Sequence, residues 1–127
     1  MNKYTELSDF EINRRIAEMG TKNRYVYFEK EQTIFRIFNN EQTQKFNPCN
    51  YPTDAMPIII ENKISLLAGD GNFWCARYGE WTLLPYPSGI EFIEKAQVIN
   101  DNPYRAAMEL FLMMKDAENE KIRPNLL

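Results

Sequence analysis

Apolar positions recur at helical spacing near each end of the chain and at strand spacing in between. In the first run, Ile12, Ile16 and Met19 stand at i, i+4 and i+7, with Phe10 and Ala17 beside them. The spacing predicts a helix over residues 9–19 with one apolar face. Ser8-Asp9-Phe10-Glu11 is a capping box, Ser at the N-cap and Glu at N3, and Leu7 with Ile12 holds the positions of a hydrophobic staple. Gly20 stands where a C′ glycine closes a helix, and Arg14 and Arg15 fall on the outer face.

The last run is as clear. Asn102 is a good cap and Pro103 suits the first helical position. Ala106, Leu110 and Met113 form one stripe, and Ala107, Phe111 and Met114 the next, which predicts a deeply buried helix. The pattern fades over residues 115–118, and residues 119–127 read as a loose tail.

Between the two, aromatic and β-branched residues dominate Arg24 to Phe38, interrupted by Glu29-Lys30-Glu31. Two strands joined by a turn fit this, followed by a polar loop over residues 39–45. Residues 24–45 read as an inserted hairpin that adds little to the core. Ile64 to Ala68 and Phe73 to Tyr78 read as paired strands around the turn Gly69-Asp70-Gly71-Asn72. On the second of these, Phe73, Cys75 and Arg77 point one way and Trp74, Ala76 and Tyr78 the other. Gly79-Glu80 breaks that strand, and Trp81 to Leu84 reads as another. Pro85, Pro87, Ser88 and Gly89 read as a loop, and Ile90 to Ala96 fits a strand or a short helix.

Thr53 to Asn62 has two readings. Thr53 can cap a helix with Asp54 at its positive end. Pro57 and the run Ile58-Ile59-Ile60 favour instead a hairpin strand turning at Glu61-Asn62. With the other elements, the pattern predicts an α+β class: one layered domain over residues 1–118, an antiparallel sheet packed against helices.

Composition narrows the chemistry. A chain of 127 residues with 44% hydrophobic and 26% charged positions suits a single packed domain without metal or disulfide staples. Its net charge of −3 and lack of a basic stripe disfavour duplex nucleic acid. No apolar run approaches the roughly 20 residues of a membrane span, and the polar start does not read as a secretory signal. A soluble cytoplasmic protein is expected. Histidine is absent, which removes the commonest general base and every Ser-His or Cys-His pair. The two cysteines, Cys49 and Cys75, are expected to be reduced apolar residues, a disulfide being the lesser alternative. No phosphate-binding glycine loop or hydrolase motif occurs, so no enzyme, cofactor or metal is expected.

The one polar cluster at a helix start is Asn47, Asn50, Tyr51, Thr53 and Asp54. Amide side chains and a tyrosine there either brace the loop or frame an anion at the helix N-terminus. Trp74 and Arg77 on the neighbouring strand are candidates for stacking and charge pairing, although Trp74 and Trp81 also suit a core. Arg105 opposes the dipole in the first turn of the last helix. It is expected to pair with an acid such as Asp54, or to contact a ligand.

The stretches ELSDFEINRRIAE, FNPCNYPTDAMPIIIENKISL and NPYRAAMELFLMMKDAENE together resemble the NinX-like family of small accessory proteins of tailed bacteriophages. The order of the three is kept, and residues 25–45 and 81–101 look longer than is typical. The Thr-Asp helix start, strand pair and Arg-Ala-Ala helix are also similar to the phage ABA sandwich domain. The resemblance implies a helix at Thr53–Asn62 and a phage protein in the host bacterial cytoplasm. It attaches no activity. With the missing catalytic residues it suggests binding: a small nucleotide signal of host defence held by the cluster, Trp74 and the arginines, with a homo-oligomer expected. Masking of a host protein by the strand Tyr25 to Phe28 is the alternative, and a recombination accessory role the third.

Overall fold

The computed structural model describes residues 2–20, 23–86 and 89–122, with the side chains of Lys121 and Ile122 left out. Pro87 and Ser88 of the expected loop lie outside the described residues, as do residues 123–127 of the expected tail. The elements in order are α1 (Asp9–Met19), β1 (Arg24–Phe28), β2 (Thr33–Ile37), β3 (Thr43–Lys45), α2 (Pro52–Glu61), β4 (Ser65–Ala68), β5 (Trp74–Leu84), β6 (Gly89–Asn100) and α3 (Pro103–Ile122). The class is α+β, and the strands form two antiparallel sheets rather than one, ordered β1-β2-β3 and β4-β5-β6.

α3 is the hub. It packs on β5 and β6, on α1 and on α2, while α1 also meets β2. Its stripe residues Ala106, Ala107 and Leu110 are fully buried in one core with Ile12 of α1, Ala55 of α2 and Ala76 of β5, so the three helices and the second sheet meet there. Asn102 caps it as expected, accepting from the Tyr104 and Arg105 amides at 2.9 and 3.2 Å. The helix continues to Ile122, beyond the fading of its apolar pattern.

At the other helices the local chemistry differs in detail from the sequence reading. Ser8 Oγ accepts from the Glu11 amide at 3.1 Å, while the Glu11 carboxylate turns towards Arg14 at 3.9 Å. Gly20 has φ −78° and ψ 126°, so α1 leaves directly into extended chain without a left-handed step. Thr53 to Glu61 is helix, not hairpin, but Thr53 is not its cap. Tyr51 is the N-cap without a side-chain bond, and Pro52 takes the first helical position, which a proline fills without losing a bond.

Strand boundaries also shift. The polar residues Thr43–Lys45 form β3, pairing with Phe35–Ile37. Ile34 of β2 is 2% exposed, so this first sheet does contribute to the core. Gly79 does not end β5: a register shift between Tyr78 and Gly79 lets the strand run on to Leu84, paired with Gly89–Glu94. A Cβ at Gly79 would lie 2.1 Å from the Ile93 carbonyl oxygen, so glycine is required by that close crossing. The bulged pair extends outward, and Trp81 is 58% exposed rather than in the core.

Candidate functional site

The loop Phe46–Tyr51 is tied down by a knot of amides and acids. Asn47 Oδ1 accepts from Asn13 at 2.8 Å and from Asn50 at 3.0 Å. Asn50 also donates to Asp9 at 3.0 Å and accepts from Asn102 at 3.1 Å. Asn13, 4% exposed on α1, accepts from the Cys49 amide at 3.0 Å, and Asn102 donates to the Cys49 carbonyl at 2.9 Å. The loop therefore joins the N-termini of α1 and α3, and its asparagines are occupied with one another. Cys49 is enclosed in this knot, and burial pushes its thiol far above the ordinary range.

Arg105 closes the same knot from α3. It donates to Glu109 at 2.6 Å, to Asp9 at 2.7 Å, and to the carbonyls of Leu7 and Tyr4 at 2.7 and 3.0 Å. Burial acts against its charge, but the bonds to Asp9 and Glu109 outweigh that and hold its pKa above the usual value. Its expected partner Asp54 is elsewhere: the acid the dipole argument required is Asp9 together with Glu109. The buried Glu109 was missed inside an apolar run. The signal was the i, i+4 spacing from Arg105.

Asp54 faces the opposite side of the loop. Its Oδ2 accepts from the Asn47 amide at 2.9 Å, and its Oδ1 stands 4.0 Å from Arg36 Nη2 of β2. Here α1, the first sheet, α2 and α3 leave a groove of about 710 Å³, within the range of small-molecule sites. Tyr25, Arg36, Phe46, Thr53, Asp54 and Lys115 are among its walls. Tyr25 and Phe46 meet with ring centroids 5.0 Å apart, and the Arg36 guanidinium lies 5.1 Å from the Phe46 ring centroid. Arg36 Nε is enclosed without a hydrogen-bond partner among the described residues, and the nearest acid to its guanidinium is Asp54 at 4.0 Å. Pro57 on the groove wall lacks the amide that would have bonded the Thr53 carbonyl one turn back.

Of the residues singled out in the sequence, the groove gathers Thr53 and Asp54. Asn47 braces Asp54 from behind, and Tyr51, 37% exposed, supplies the carbonyl that starts α2. Trp74 and Arg77 lie on β5, away from the groove and on opposite faces of the sheet. Arg77 is held by Glu94 at 3.0 Å and lies over Phe92 at 4.3 Å. Arg36 and Lys115 were missed, and Tyr25 was singled out only as part of an interface strand. Arg36 shares strand parity with the buried Ile34, and a cation on the inward side of a strand was the available signal.

Fold and groove together define a small α+β domain with a groove between its first sheet and its helices. Among the described residues there is no cluster of metal-ligating side chains and no helix long and apolar enough to cross a membrane. The model of the family described as "Bacteriophage P22, NinX" matches residues 3–115, and the chain belongs to that family of phage proteins. Neither the curated proteins nor the solved structures compared with the chain give a significant match.

Proposed function

We propose that this phage accessory protein works by binding rather than by catalysis, and that its ligand is a nucleotide held in the Arg36 groove. The observation that carries the reading is Arg36 itself. A half-buried guanidinium on the groove wall, lying over an aromatic ring, is suited to a phosphate. Asp54 at 4.0 Å suits the donor edge of a base, and Tyr25 with Phe46 offers aromatic surface. The absence of histidine from the sequence fits a binding role. Sequestering a nucleotide signal of host antiviral defence, in the host bacterial cytoplasm, is the biological role this reading gives.

Calorimetry against a panel of cyclic and linear nucleotides tests it. Saturable heat from at least one, lost in Arg36→Met, is expected. No heat from any member contradicts the nucleotide reading. A second reading has its own observation: β1 is an edge strand whose Val26 and Phe28 are 36% and 43% exposed, a template for a protein partner. Capture from infected-host lysate of a stoichiometric host protein, lost in Phe28→Lys, would favour masking over sequestration.

A further inference from the structure

The second sheet has one face buried and one bare. Ala76 and Val98 point into the core. The register sets Cys75 opposite both Leu67 and Ile99, Trp81 opposite Phe92, and Leu83 opposite Ile90. Cross-strand partners share a face, and so do alternate residues along a strand, so all of these lie on the side away from Ala76. Leu67, Trp81, Leu83, Ile90 and Ile99 are 45%, 58%, 74%, 60% and 59% exposed. Together they present on the order of 600 Å² of apolar surface, at the upper end for a patch on a monomer and near the roughly 800 Å² per partner of a standard interface.

We infer that this face packs against the same face of a second copy of the chain, across a two-fold axis. Charge selects that occupant. Among the described residues the only ionised side chains of the face, Arg77 and Glu94, pair with each other at 3.0 Å, and Arg77 lies over Phe92. The face carries no net charge, so an identical copy meets no repulsion, and a strongly acidic or basic partner finds no complementary field. Pairing through the β6 edge is opposed instead: the bulge leaves Lys95 without a strand partner, its ammonium 3.3 Å from Glu80. A bulge and a lysine are how sheet edges are blunted against association. Two such faces stack as a sandwich, with the sheets roughly 10 Å apart. The opposite side of the arm carries Glu80, Thr82 and Glu91 around Ile93.

Sedimentation equilibrium of the intact protein tests the inference. The wild type is expected to be a dimer at micromolar concentration. Leu83→Glu, at an exposed position that the fold tolerates, is expected to weaken association by about 100-fold or more. Thr82→Glu, on the other side of the same arm, leaves it unchanged. Alkylation of Cys75, which lies on the face, slows as wild-type concentration rises and does not slow in Leu83→Glu. A wild type that stays monomeric over the whole range overturns the inference, and so does a Leu83→Glu protein that dimerises as tightly as the wild type.

Discussion

Arg105 on α3 donates through Nη1 to Asp9 Oδ1 at 2.7 Å, a bond between residues 96 apart in sequence that fastens the start of α1 to the start of α3. The same guanidinium bonds Glu109, which is 1% exposed, and two carbonyls of the N-terminal segment. Truncating one member of a buried pair leaves the other charge unpaired. Arg105→Met is therefore expected to lower unfolding free energy by about 3–5 kcal/mol in urea. Adding Glu109→Gln to it is expected to recover part of the loss. A single variant within about 0.5 kcal/mol of wild type, the range of neutral surface changes, would show that the knot is not what holds the N-terminus.

Tyr4 couples the same segment to the far part of α3, donating its hydroxyl to Asp116. Burial, then that hydrogen bond, pushes its pKa from 10.0 up to about 12. The neutral phenol is the form the fold favours. Its contribution is complete below pH 10 and is lost as pH rises through about 12. Of the seven tyrosines, Tyr4 is expected to ionise last in an absorbance titration, after Tyr27, which burial also raises, and stability should fall over the Tyr4 window. Tyr4→Phe should remove both features; a titration unchanged in that variant would contradict the assignment.

The two cysteines are both free, one buried and one half-buried. Burial raises both thiols above their ordinary value, with Glu94 adding to the effect at Cys75. Mild alkylation of the native protein is expected to label Cys75 slowly and Cys49 not at all, with both labelled in denaturant. Rapid native labelling of Cys49 would mean that the loop Phe46–Tyr51 opens.

How much of this was legible follows from where the determinants sit. α1 and α3 announce themselves because cap and stripe are local: Ser8 binds the Glu11 amide, and Asn102 binds those of Tyr104 and Arg105. α2 does not, because Pro57 and three isoleucines contradict its helix and Tyr51 caps it without a side chain. Gly79 read as a break because its role, the close passage of Ile93, is set by a strand distant in sequence. The site divides the same way. Thr53 and Asp54 were visible as a helix start, whereas Arg36 becomes a groove residue only once β2 packs beside α2. The asparagines were visible as a group, but which of them bind the fold depends on Asn13 of α1 and Asn102, the cap of α3.

The most direct measurement of the central claim is amide NMR of the labelled protein titrated with the nucleotide panel. The binding reading predicts that at least one nucleotide moves resonances clustered at Tyr25, Arg36, Thr53 and Lys115, around the groove, and that Arg36→Met abolishes the shifts. Spectra that no nucleotide changes, or shifts that gather at Trp74 and Arg77 instead, would contradict it.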